Sequence, residues 1–291
     1  MGIKTKLSQI AVLALAVFAV WLAPMSAQSS QATDALVRKT VNNEIQSAND
    51  NKFMFLDRKE TPHGSQSKLM VETAQGMAGL MIENNDKPLS ADQEKAEYAR
   101  VQRFINNPDE LKKKQKQEKE DSEHVTRIMK ALPDAFLYEN EGSEEGRKGV
   151  GKLGHKLVRL KFKPNPQYDP PSRVEQVLTG MSGVILIDSV EDRIAEIDGT
   201  LSKDVSFGWG ILGHLNQGGH FLVQQADVGN DSWEITHMDL NFTGKILLFK
   251  SLNIKSTETS SDFHKVPSNL TFAQGVDMLK KEQARLADKH L

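Results

Sequence analysis

The chain has 291 residues, 38% hydrophobic and 26% charged, which gives it length and apolar material for a large core and excludes disorder throughout. Its formal charge of −2 supplies no basic field, so no nucleic-acid partner is expected. The absence of cysteine excludes disulfides, a thiol nucleophile, thiolate metal ligands and an acylated N-terminal cysteine.

At the N-terminus, Lys4 and Lys6 precede an apolar run from Ile10 to Leu22, followed by Pro24 and the small residue Ala27. This is the layout of a secretory signal peptide, 1–27, with cleavage expected after Ala27 and a periplasmic or secreted destination. The run is shorter than the roughly 20 apolar residues of a bilayer-spanning helix. Removing the two lysines leaves a mature charge of about −4.

The spacing of Val37, Val41, Ile45 and Ala48 predicts an amphipathic helix capped by Thr33 and ended by Asn49-Asp50-Asn51. KFMFLDRKETPHGSQSKLMVE reads as two strands with a turn at Thr61 to Gly64, and a short strand near Gly79 to Ile82 follows. SADQ, 90–93, is a capping box for a helix with Tyr98, Val101 and Ile105 on one side. A second helix starts at Asn107-Pro108-Asp109-Glu110. It carries KKKQKQEKEDSE, 112–123, without one apolar residue before Val125, Ile128, Met129 and Leu132 restore a buried face. Mixed-sign pairs such as Lys116 with Glu120 make that run a solvated helix, and the competing reading is a projecting lid or docking surface.

From Ala135 onward the pattern is mostly strand. Val158, Leu160 and Phe162 alternate with Arg159, Lys161 and Lys163, and PNPQYDPPSR, 164–173, is a crossing loop. Gly183 to Ile187 is a short apolar strand turned at Ser189 to Asp192. From Ala195 to Ile211 the odd positions are mainly apolar and the even ones small or polar, a period-two wall bent near Ser202-Lys203-Asp204. Strands are expected at 220–228, 233–242 and 245–254, with a turn at Thr243-Gly244. The apolar parity switches between Ile235 and Met238, which predicts a β-bulge near Thr236-His237. TFAQ, 271–274, opens a terminal helix with Val276, Leu279 and Leu286 inward.

Several chemistries can be weighed. Gly208, Gly210 and Gly213 spell G-x-G-x-x-G, but a dinucleotide loop needs a helix N-terminus after it, and here the chain leads into another strand. The glycines are read instead as part of a sheet wall, where a missing side chain permits close approach. His214, His220, His237 and Asp239 could meet across strands, yet no metal-binding spacing such as H-E-x-x-H occurs. No G-x-S-x-G elbow surrounds Ser182, and Glu191, Asp192, Asp198 and Asp204 read as solvated charges. No catalytic residue, metal or cofactor is expected.

SGVILIDSVEDRIAEIDGTL, GGHFLVQQADVGNDSWEITHMDLNFTGKILLF and SSDF at 260–263 resemble the sheet of the bacterial periplasmic lipoprotein-carrier superfamily. That superfamily comprises the localisation-of-lipoproteins carrier, its outer-membrane receptor and related lipoprotein-sorting-like proteins. The stretches are also similar to a group of functionally uncharacterised exported bacterial proteins. The resemblance covers mainly 182–263, with an echo from 33 to 82. It implies an incomplete antiparallel barrel curved over helices, with an apolar cavity for acyl chains. The polar helix at 107–132 and the proline-rich loop depart from the family's pattern.

The expected fold is therefore α+β: one domain, 28–291, in which a curved antiparallel sheet is covered by N-terminal, inserted (about 90–132) and C-terminal helices. The expected function is non-catalytic binding or carriage of a lipid, a lipoprotein acyl chain or another hydrophobic ligand, with transient membrane contact. The candidate cavity wall is Ile197, Leu201, Val205, Phe207, Trp209 and Ile211, with Phe221, Val223, Trp233 and Ile235 as a second group. An ordinary filled core is the alternative for each of these residues. The alternative function is an envelope interaction or sensor module whose helix at 107–132 docks a protein partner.

Overall fold

The computed structural model describes residues 25–47, 51–207, 213–229, 232–246 and 250–289. The signal-peptide residues before Met25, and Trp209 and Ile211 of the expected wall, lie outside them. Helix α1, Met25–Ser47, comes first, then strands β1 (Lys52–Thr61), β2 (Gly64–Thr73), β3 (Gly76–Asn84) and the two-residue β4 (Lys87–Pro88). Helices α2 (Ala91–Asn106) and α3 (Pro108–Ala135) lead to β5 (Phe136–Glu145) and β6 (Lys156–Pro164). After a short helix α4 (Arg173–Gln176) and a 3₁₀ turn (Val177–Gly180) come β7 (Met181–Asp188), β8 (Arg193–Leu201), β9 (Val205–Phe207) and β10 (Gly213–Leu215). Strands β11 (His220–Asp227), β12 (Trp233–Ile246) and β13 (Lys250–Val266) and helix α5 (Phe272–Lys289) complete the described chain.

The 13 strands form one antiparallel sheet, ordered β4-β3-β2-β1-β13-β12-β11-β8-β7-β6-β5, with β10 joining β12 and β9 joining β10. It is curved and open, not closed into a barrel. The expected class, α+β with an incomplete antiparallel barrel, is the one observed.

Alternation of side chains gives the sheet two faces, and the helices divide between them. On one face of β1, β2 and β3, Met54, Leu69, Val71, Ala78 and Leu80 are buried against Val101 of α2 and Val276 and Leu279 of α5. On the other face, at the opposite half of the sheet, Leu160, Phe162, Ile185 and Leu201 are buried against Val37 and Val41 of α1 and Leu132 of α3. We call this second face the inner face. Each buried Val, Leu, Ile, Met or Phe among them contributes about 1.5–3 kcal/mol.

Local chemistry explains the helix limits. Ser90 accepts from the Gln93 backbone and Gln93 bonds back to Ser90, the expected capping box. Asn107 caps α3 with Pro108 in its first turn. Thr33, expected as a cap, is instead a buried residue inside α1, because the Ser-, Gln- and Ala-rich segment before it contains no breaker and the helix starts one residue after Pro24. A bidentate ion pair fixes α1 to the sheet: Arg193 Nε and Nη2 each donate to Glu44 at 3.0 Å, and the Ile194 N–H donates to Glu44 at 2.6 Å.

Other expectations are corrected by the register. Ala195 does not share the face of Ile197, because a bulge between β7 and β8 pairs Ile187 with Ile194 and Leu186 with Glu196. Thr243 and Gly244 are not a turn, because β12 runs through them. A Cβ on Gly244 would lie 2.1 Å from the His214 carbonyl oxygen, so this glycine lets β10 approach. The bulge expected near Thr236 is present: Gln224 pairs with His237 and Gln225 with Ile235, leaving Thr236 as the extra residue.

Candidate functional site

Helix α3 is about 42 Å long for its 28 residues, enough to cross from one half of the sheet to the other. Near its start Leu111 is buried with α2 and α5, while Ile128, Met129 and Leu132 near its end pack on the inner face. Polar bonds tie the intervening stretch to the β2–β3 turn: Gln115 Nε2 donates to the Gln75 carbonyl at 2.9 Å, and the Met77 N–H donates to Glu118 at 3.2 Å. Residues 119–124 are exposed and Lys116 faces Glu120 at 3.8 Å, as a solvated helix requires. Val125, expected on the buried side, is 62% exposed, because α3 there spans between its two supports.

Beneath the C-terminal third of α3 lies a partly open apolar cavity of about 190 Å³. Ile128, Met129 and Leu132 form its roof, Ile185, Ile197 and Phe221 its floor, and Phe136, Phe162, Leu178 and Met181 its sides. Among the described residues of this lining the single polar side chain, Tyr138, spends its hydroxyl on the Leu132 carbonyl at 2.9 Å, and burial pushes its ionisation well above the ordinary range. The cavity is therefore dry in chemical character, with nothing to hold a water by two or more bonds.

A cross-strand row continues this floor across the sheet. Ile185 pairs with Ile197, Ile197 with Val223, Val223 with Met238, Met238 with Glu258, and Glu258 with Lys59. The row starts at a buried isoleucine and ends at a Lys59–Glu258 ion pair. Gly199 gives the Phe221 ring its place: a Cβ there would lie 2.2 Å from a ring carbon.

At the far end of the row the inner face opens into a groove of about 300 Å³. Phe55 stacks on Phe263 with ring centroids 5.2 Å apart, and Met70, Met77 and Met238 surround the pair. Asp57, Glu72, Glu234 and Glu258 line the same groove, and the shift of alternation at Thr236 brings Ile235 into it as well. Burial raises the Asp57 carboxyl, with Glu258 adding to the effect. Burial and then the neighbouring Glu72 carry Glu234 up to about 7.

The structure separates the expected wall residues. Ile197 and Phe221 line the cavity, and Leu201, Val205 and Phe207 pack in the core around it. Val223 is half-buried between cavity and groove, and Ile235, 46% exposed, lines the groove. Trp233 does not join this wall. It is buried with Val150, Leu157, Leu186 and Ala195, and the Arg193 guanidinium lies 5.6 Å from its ring centre. The loop at 146–155, absent from the sequence reading, covers this cluster through the Gly151–Ala226 bridge.

The cavity residues contributed by α3, β5 and the 3₁₀ turn were missed as site residues, although the apolar spacing Ile128, Met129, Leu132 marked the face that roofs it. The groove was missed too. Its signal is a methionine-rich second face, Met70, Met77 and Met81, behind strands whose Leu69, Val71 and Leu80 fill a core.

Gly213 begins β10, and Phe207, His214 and Leu215 belong to an antiparallel β9–β10 pair; Gly208 and Gly210 lie outside the described residues. The described chain after Gly213 is strand, so the dinucleotide loop lacks the helix it requires. His220 bonds Asp198 at 2.9 Å and His237 bonds Thr259 at 3.3 Å, separate surface pairs, and no group of three metal-ligating side chains occurs among the described residues. Asp188, fully buried, accepts from the Val190 and Glu191 N–H groups and from the His155 ring, which makes it a turn-former.

Two solved structures are similar over most of this chain. A "putative outer membrane lipoprotein-sorting protein domain" from Vibrio parahaemolyticus is 9% identical, spans 84% of this chain and 99% of its own, and has a TM-score of 0.30. A DUF1329 family protein from Desulfovibrio piger is 10% identical, spans 86% of this chain and 98% of its own, and has a TM-score of 0.30. No protein-family model matches the chain, and no curated protein matches it.

Proposed function

We propose that the protein is an exported, non-catalytic carrier or binder of a lipid or another hydrophobic ligand, held on the inner face of the sheet beneath α3. The observation that carries this reading is the dry cavity of about 190 Å³ between α3 and the sheet. Protein interiors are packed to crystal-like density, and an apolar void of about 150 Å³ is already large enough to bind benzene. Val223 is the cross-strand neighbour of both Ile197 in the cavity and Met238 in the groove, and we take this row as the line along which a chain-like ligand extends from one to the other. The long helix fits a cover: two polar bonds tie its middle to the β2–β3 turn, whereas its ends are anchored in cores. Lys4, Lys6 and the apolar run to Leu22 support export, with the ligand then met in the cell envelope.

The test is purification under native conditions from the producing cell's envelope, then solvent extraction and mass spectrometry. A co-purifying amphiphile near one per chain is expected. No such molecule, combined with no change in tryptophan fluorescence on adding fatty acid or phospholipid, overturns the reading.

A further inference from the structure

The groove at the far end of the inner face is apolar at its floor and acidic at its rim. Asp57, Glu72, Glu234 and Glu258 line it, and among the described residues no Lys, Arg or His does. Of these, Glu258 is paired with Lys59. Asp57 accepts from Ser260 Oγ at 3.2 Å and Glu72 from the Phe53 N–H at 2.9 Å, both neutral donors. Glu234 has neither a hydrogen bond nor an ion pair to a described residue. The nearby cations act on these carboxylates through the field without pairing to them: Lys68, opposite Asp57 in the β1–β2 register, and Lys59 favour the charged form of Asp57, and Arg193 and Lys52 that of Glu234, but Lys59 is paired with Glu258 and Arg193 with Glu44. Half-buried carboxylates beside stacked aromatic rings are costly without a compensating positive charge. The upward displacement of Asp57 and Glu234 is the same cost seen in their titration.

We propose that the ligand is a cationic amphiphile whose alkyl chain enters the dry cavity beneath α3 and whose ammonium group sits among Asp57, Glu72 and Glu234. This rests on the carrier reading above and adds the chemistry of the head group. The row from Ile197 to Glu258 crosses three strand spacings, about 14 Å, which a long single alkyl chain spans. The faces of Phe55 and Phe263 add a surface that attracts a desolvated cation. A fatty acid carboxylate in the same position would meet Asp57, Glu72 and Glu234 at close range, with Lys59 and Arg193 already paired to Glu258 and Glu44.

Isothermal titration of the mature protein with dodecylamine, 1-dodecanol and dodecanoate, each below its micellar concentration at pH 7.5, tests this. The amine is expected to bind tightest, about tenfold better than the alcohol, with dodecanoate weakest. In a Glu234→Gln/Asp57→Asn double variant the amine-to-alcohol ratio is expected to fall towards one. At pH 7 the amine should also displace a proton from Glu234, seen as a binding heat that varies with the ionisation enthalpy of the buffer. Equal affinity for the three probes, or preference for dodecanoate, overturns the cationic head group and leaves the carrier reading standing. Failure of all three to bind overturns both.

Discussion

Replacing Glu234 by Gln isolates the electrostatic cost of the groove. Burial and the neighbouring Glu72 raise this carboxyl from 4.5 to about 7. The folded protein therefore keeps the proton up to about pH 7, while the unfolded chain releases it near 4.5. The resulting stabilisation is fully present below pH 4.5 and is lost as pH rises through 7. At about 1.4 kcal/mol per pH unit, the whole effect amounts to about 3–4 kcal/mol. Glutamine has nearly the same shape and no charge to desolvate. In urea unfolding, Glu234→Gln is expected to differ little from the parent at pH 5 and to be more stable at pH 8, by as much as about 3–4 kcal/mol. Glu72→Gln should shift the parent's pH dependence in the same direction by removing the repelling charge. An unchanged difference between pH 5 and pH 8, or equal destabilisation at both, would refute the claim that Glu234 is held at a penalty.

Two further substitutions test how the sheet is assembled. Glu44→Ala leaves the buried Arg193 guanidinium and the Ile194 N–H without their partner, and is expected to lower stability by about 3–5 kcal/mol in denaturant unfolding; a loss below about 1 kcal/mol would contradict the anchoring of α1. Gly244→Val drives a Cβ into the His214 carbonyl and should release β10 from β12, read as faster amide exchange at residues 213–215, whereas unaltered protection would show that the approach is not steric.

Where function touched regular local chemistry, the sequence was readable. The capping box at Ser90, the Asn107-Pro108 helix start and the alternation through Leu201 and Val205 each follow from interactions within a few residues. The bulge at Thr236 was legible for the same reason, because a single parity switch betrays it. The site was legible only in part. Ile197 and Phe221 could be placed on one face by alternation, yet their opposite wall, Ile128, Phe136 and Met181, comes from distant chain segments that no periodicity relates. Trp233 went astray because the loop at 146–155 builds a third cluster on the other side of the sheet, a long-range event. The acidic groove is hardest of all: Asp57, Glu72, Glu234 and Glu258 are unremarkable strand carboxylates until the β2–β1–β13–β12 pairing gathers them.

Photoaffinity labelling with a diazirine-bearing dodecyl probe, followed by tandem mass spectrometry, addresses the central claim most directly. The account predicts labels on α3 between Ile128 and Leu132, on the 3₁₀ turn at Val177–Gly180, and on Ile197 and Phe221, with labelling suppressed by excess unlabelled amphiphile. Labels confined to other surfaces, or labelling that excess amphiphile leaves unchanged, would contradict a ligand site beneath α3.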